Sequence, residues 1–133
     1  MLQIVVIYSN WPKMMIRILT VIVVVFLLTS CSKVPKIIGF DATLWQQDQF
    51  GCDGNRLKLS GILEAQRQQL KLIEEPELKK ILGSPNSVEI MQRQQRYYIY
   101  WIQNPAKCAD SAMAYKELRI RVSALGKVTE VLF

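Results

Sequence analysis

The sequence predicts an α+β domain in which two or three N-terminal helices pack on one face of a three- or four-stranded antiparallel sheet. Apolar residues between positions 42 and 82 recur at steps of three or four, and after Pro85 they recur at steps of two. Gly51, Pro76, Gly83 and Pro85 punctuate the segments where the period breaks. Helices first and strands second is the order of an α+β fold, not of alternating β-α units.

Each element has its own signal. Asp41 is placed to cap a helix over residues 42–50, because a carboxylate there accepts from amides that the first turn leaves unpaired. Trp45 and Phe50 supply its apolar contacts, and Gly51 ends it. Residues 56–72 set Leu59, Ile62, Leu63, Gln66 and Leu70 on one face of a second helix, with Gly61 as a weak point. Glu74, Glu75 and Pro76 announce a third helix over 76–82 that stops at Gly83, before Pro85. Strands follow over 87–92, with Val88 and Ile90 on one face, and over the aromatic run 96–103. Leu118, Ile120, Val122 and Ala124 alternate with Arg119, Arg121 and Ser123 in the clearest strand pattern of the chain. A turn over 124–127 leads into a last strand over 128–133, and residues 104–113, with Cys108, form a loop.

A length of 133 residues accommodates one domain. Half the residues are hydrophobic, but the excess lies before Cys31, and the remainder has the composition of an ordinary folded domain. Net charge is +6 and falls to +4 without the first thirty residues, which hold Lys13 and Arg17 and no acid. Cations and acids are interspersed, so no nucleic-acid footprint is expected. Lys33 and Lys36 read as part of a solvated tether.

Residues 1–30 have the architecture of a signal peptide. Ile18 to Leu28 runs eleven residues without a charge behind Arg17, shorter than the roughly 20 that a spanning helix needs. Pro12 and the apolar run Ile4 to Ile7 are unusual before such a segment, and Met14 or Met15 would make a better start. Leu28-Thr29-Ser30-Cys31 resembles the lipobox of bacterial lipoprotein precursors. That resemblance implies a lipid-modified Cys31, cleavage before it, a tether over 31–40 and a single domain over 41–133 in the cell envelope. Ser32, in place of Asp, resembles the outer-membrane sorting pattern of enteric bacteria.

Export to an oxidising compartment leaves Cys52 and Cys108 as a single possible disulfide pair. A zinc site is the poor alternative, because two cysteines without any histidine cannot complete the shell without carboxylates.

Together with the lipobox and the order of elements, Ile81-Leu82-Gly83-Ser84-Pro85 followed by Tyr98-x-Tyr100 resembles the SmpA/OmlA family of small outer-membrane lipoproteins over residues 60–133. The resemblance implies a unit of two helices and a three-stranded sheet, shared with β-lactamase inhibitor proteins. It also implies an accessory role in outer-membrane protein assembly. The Trp45-x-x-Asp48-x-x-Gly51-Cys52 stretch and the cysteine pair lie outside that family's pattern.

Catalytic chemistry has little to stand on. The absence of histidine excludes Ser-His and Cys-His nucleophilic pairs, and no glycine-rich phosphate loop occurs. Glu74 and Glu75 are explained by the helix dipole. No catalytic residue, metal site or cofactor is therefore expected. The open face of the sheet is the expected functional surface. If Ile120 and Val122 face the helices, Arg119 and Arg121 face away, joined by one aromatic set, either Tyr98 and Tyr100 or Tyr97 and Trp101. Arginine beside tyrosine or tryptophan is enriched at protein interfaces. The expected partners are thus a membrane, through the lipid anchor, and an envelope protein; a small ligand or lipid held by the same aromatics is the alternative.

Overall fold

The computed structural model describes Lys13, residues 15–22 and residues 34–133, and divides the chain into two units, residues 1–33 and 34–133. In the first unit Lys13 and residues 15–22 are helical, and the Thr20 hydroxyl donates back to the Ile16 carbonyl at 3.0 Å. Among the described residues no helix is long and apolar enough to cross a membrane. The expected lipobox, with Cys31, lies outside the described residues.

The second unit is the expected α+β domain, its helices mostly N-terminal and its sheet four-stranded and antiparallel in the order β1-β2-β3-β4. Helix α1 (Ala42–Gln47) starts where the Asp41 carboxylate accepts from the amides of Thr43 and Leu44 at 2.9 and 3.0 Å. It ends three residues earlier than expected, and Trp45 alone of its residues is buried. Helix α2 (Asn55–Ala65) follows Gly54, which lacks a capping side chain. Asp48 does that work from a distance, accepting from Asp53 N and Arg56 N at 3.1 Å each. A 3-10 turn (Arg67–Leu70) continues α2, so the expected single helix over 56–72 is two pieces that meet at Gln66.

Helix α3 (Glu75–Leu82) carries Pro76 in its first turn, where a missing N–H costs nothing. The Glu77 carboxylate reaches back to the Glu74 amide at 3.2 Å. Gly83 stops the helix at φ 74°, a conformation that favours glycine. The strands are β1 (Ser87–Ile90), β2 (Arg96–Gln103), β3 (Lys116–Val122) and β4 (Val128–Leu132), and the 104–113 loop contains a further turn of helix, α4 (Pro105–Cys108). Tyr98, Tyr100, Ile102, Leu118, Ile120, Val122, Val128 and Val131 form the sheet's side of the core, against Trp45, Leu59, Leu63, Leu70, Leu78 and Leu82.

Two features refine the expected tether and first strand. Ile37 is buried in the core, Ile38 exchanges two hydrogen bonds with the Gln66 side chain at 3.0 and 2.7 Å, and Phe40 packs on Trp45. The fold therefore begins near Ile37, and the tether expected over 31–40 is shorter at its C-terminal end. Strand β1 is exposed at all four residues, so Val88 and Ile90 share a face without being core.

Candidate functional site

The register of β2 against β3 decides which aromatics accompany the arginines. Tyr97 stands opposite Arg121, Ile99 opposite Arg119 and Trp101 opposite Glu117, whereas Tyr98 and Tyr100 stand opposite Ile120 and Leu118. Side chains at paired positions share a face, so Tyr97 and Trp101 belong to the outer face with both arginines. Tyr98 and Tyr100, included among the expected partner-binding residues, are corrected to core: they are 3% and 0% exposed. Tyrosine is tolerated there because each hydroxyl reaches an acceptor, one on α3 and one on the glycine that ends it. Tyr98 donates to Glu75 Oε1 at 2.5 Å and Tyr100 to the Gly83 carbonyl at 3.0 Å. Burial pushes both phenols above their usual range.

The outer face is a lattice of paired charges over aromatic rings. Arg119 lies 5.0 Å from the centre of the Tyr97 ring, bonds Glu117 at 3.1 Å and pairs with Glu89 of β1. Hydrogen bonds to Glu117 and Glu89 hold its guanidinium above its usual range. Arg121 Nε donates to Gln95 Oε1 at 2.7 Å, and its guanidinium comes within 4.0 Å of Glu130. Tyr97 donates to the same Glu130 at 2.8 Å, and that bond raises its own phenol. The two arginines, on the outer face as expected, are engaged there by three acids and an amide. The alternation in Lys116-Glu117-Leu118-Arg119-Ile120-Arg121-Val122 carried a readable signal for Glu117, which shares the arginines' parity. Glu89, Gln95 and Glu130 come from other segments and had none.

Trp101 is half-buried, and the Phe50 ring lies over it with centroids 6.0 Å apart. Phe50 reaches this face from the loop after α1. That loop is bound to α4 by the Cys52–Cys108 disulfide, whose Cys108 Sγ is 3.7 Å from the Phe50 carbonyl oxygen. Gly51 seats the loop at φ 73°: a Cβ there would come within 2.0 Å of the Ile102 carbonyl oxygen. The expected pairing of Cys52 with Cys108 is formed.

Behind Trp101 lies a polar cluster for which no site was expected. Arg56 is buried, with its guanidinium 4.9 Å from the Trp45 ring centre. It donates to the carbonyls of Trp45, Gln49 and Trp101 and to Asn86 Oδ1, all between 2.8 and 2.9 Å. Desolvation lowers Arg56 to about 10, partly offset by the nearby Asp48. Asn86 Oδ1 also accepts from Trp101 N at 2.9 Å, so the Asn86 side chain ties Arg56 of α2 to β2 at Trp101. A signal was present in the sequence: Arg56, Leu59 and Leu63 fall at steps of three and four, on the buried stripe of α2.

An open cleft of about 590 Å³ lies at the other end of α2, lined by Ser60, Glu64, Ile102, Tyr115, Glu117 and Phe133 among others. Its walls are half polar. No group of three or more metal-ligating side chains occurs among the described residues.

Fold and surface together define a small disulfide-closed α+β domain with an aromatic, charge-paired sheet face. Comparison with protein-family models, with curated proteins and with solved structures finds no match to the chain.

Proposed function

We propose that this protein is a lipid-anchored bacterial envelope lipoprotein that binds a protein partner through the outer face of its sheet, in envelope assembly or maintenance. The placement in the envelope rests on the Leu28-Thr29-Ser30-Cys31 lipobox and on a cysteine pair suited to an oxidising compartment, with the outer membrane, facing the periplasm, as the anchor's site. The observation that carries the binding role is the joining of Tyr97, Trp101 and Phe50 to Arg119 and Arg121 on the face of the sheet turned away from the core. Aromatics and arginine dominate interface hot spots, and charges already held by Glu89, Glu117 and Glu130 need little ordering when a partner docks. The likeness of Ile81-Leu82-Gly83-Ser84-Pro85 to the SmpA/OmlA pattern supports the same class of role.

Neutral replacement tests this better than charge reversal, because two new carboxylates would crowd the three already present. The double variant Arg119→Gln with Arg121→Gln is expected to change stability by no more than about 1 kcal/mol. It is expected to lose most of the partner recovered from solubilised envelope. Unchanged melting with undiminished recovery would remove the sheet face from consideration. The cleft beside Ser60 and Tyr115 supports the alternative of a small-ligand or lipid-binding lipoprotein; copurified lipid without a stoichiometric protein would select it.

A further inference from the structure

We infer that the outer edge of β1 binds an extended polypeptide segment of another protein as an added antiparallel strand, one in which a basic residue stands between two apolar ones. This is a second docking surface, and it depends neither on the outer-face reading nor on lipidation of Cys31.

The backbone defines the kind of occupant. β1 lies at the end of the order β1-β2-β3-β4 and pairs on one side only. Its ladder with β2 runs Ser87↔Ile99, Val88↔Tyr98, Glu89↔Tyr97 and Ile90↔Arg96, and Met91 N, next in that register, donates to the Gln95 carbonyl at 2.7 Å. Hydrogen-bonded and non-hydrogen-bonded pairs alternate in an antiparallel ladder. Ser87 and Glu89 therefore direct their amides and carbonyls at β2, and Val88 and Ile90 turn theirs outward. The Ile99 carbonyl, which accepts from Asn86 N at 2.8 Å, points toward β1 as this parity requires. Outward amides and carbonyls thus line about 13 Å of edge, and the backbone of another strand matches such groups.

Natural edge strands are blunted by a lysine, a proline, a bulge or a covering segment. The opposite edge has such a cover, because Leu72 N donates to the Val128 carbonyl at 2.8 Å and Val128 N to the Ile73 carbonyl at 2.9 Å. Among the described residues β1 has none. Val88 and Ile90 are 45% and 81% exposed, and Glu89, the single charge of the strand, is drawn across the outer face to Arg119.

Charge then selects which strand fits. A second copy of this chain would pair β1 with itself about a twofold axis. Centring that axis on Val88 calls on the Asn86 amide, already given to Ile99, and centring it on Ile90 calls on the Gln92 carbonyl, which accepts from Gln95 N. Centring it on Glu89 uses all the outward groups but sets two carboxylates face to face, and like charges directly opposite are destabilising. A segment with lysine or arginine at that position reverses the sign. Glu89 Oε2 takes Arg119, yet the side chain is 48% exposed, which leaves Oε1 to a second cation. The residues flanking that cation fall beside Val88 and Ile90, where apolar side chains pair well.

The probe is a blocked heptapeptide, Thr-Thr-Val-Lys-Val-Thr-Thr, with a counterpart in which Glu replaces Lys, each titrated against the purified protein. Amide hydrogen exchange is followed residue by residue in isotope-labelled protein. Without peptide, the amides of Ser87 and Glu89 are expected to be protected and those of Val88 and Ile90 to exchange fast. The lysine peptide is expected to slow the latter pair about tenfold or more. The glutamate peptide is expected to bind about fivefold more weakly. Val88→Pro removes an outward N–H that β2 does not use, so this variant is expected to melt as the wild type does and to bind the lysine peptide about tenfold more weakly. Unslowed exchange at Val88 and Ile90 in excess lysine peptide, or equal affinity for the two peptides, would overturn the inference. So would slowing of those two amides in the protein alone that grows with its concentration, because a second copy would then occupy the edge. Should Val88→Pro unfold, the exchange pattern of the unaltered protein decides by itself.

Discussion

Arg56 shows how much a single buried cation organises. Its guanidinium bonds four acceptors, contributed by α1, the loop after it, the segment before β1, and β2. Lysine has the charge but not the planar fork, so Arg56→Lys leaves several buried acceptors unpaired. A loss of about 2–4 kcal/mol is expected in urea unfolding; a loss below about 0.5 kcal/mol would mean that water serves those acceptors as well. Glu75 governs acid stability in a different way. Hydrogen bonds from Lys79 and Tyr98, with Arg96 nearby, hold its carboxyl below the usual range. A depressed folded-state value gives stability that is present above the unfolded value of about 4.3 and is lost as pH falls through the folded one. Thermal midpoints of the wild type and Glu75→Gln should therefore differ at pH 7 and converge toward pH 3. The raised Tyr98 and Tyr100 work in the opposite direction: their contribution is full below 10.0 and declines as pH rises toward their folded-state values.

At the level of elements, the disulfide and β2 show where the sequence was legible and where it was not. The Cys52–Cys108 bond closes a loop spanning a sequence separation of 56. On the chain-entropy account such a loop is worth about 4 kcal/mol. Cys52→Ser with Cys108→Ser is expected to lower the denaturant midpoint accordingly, and an unchanged midpoint would show that Gly51 and Arg56 already hold the loop. The pairing was readable because two cysteines admit one bond. The extent of β2 was readable because turn residues flank an aromatic and β-branched run. Its facing was not, since Tyr97, Tyr98, Tyr100 and Trp101 place aromatics at both parities, and only pairing with β3 distinguishes them. The sequence places Phe50 in helix α1, but the helix ends at Gln47. Gly51 is required by close approach to β2 and not as a helix stop, a demand that arises only after distant segments meet.

For the molecule as a whole, the burial of Ile37 fixes more than the start of the fold. A domain of a hundred residues has a radius of gyration near 13 Å, and so measures about 33 Å across. If Cys31 carries lipid as proposed, the six peptide units between it and Ile37, no longer than about 22 Å, would give a working height of roughly 55 Å above the bilayer in which the sheet face could meet a partner. Lipidation at Cys31 would turn the search for a partner into one over a thin layer, where collisions are frequent even at few copies per cell. The same short leash would exclude partners whose docking site stands farther from the membrane. Lengthening the segment between Cys31 and Ile37 would thus widen the set of accessible partners while diluting each of them.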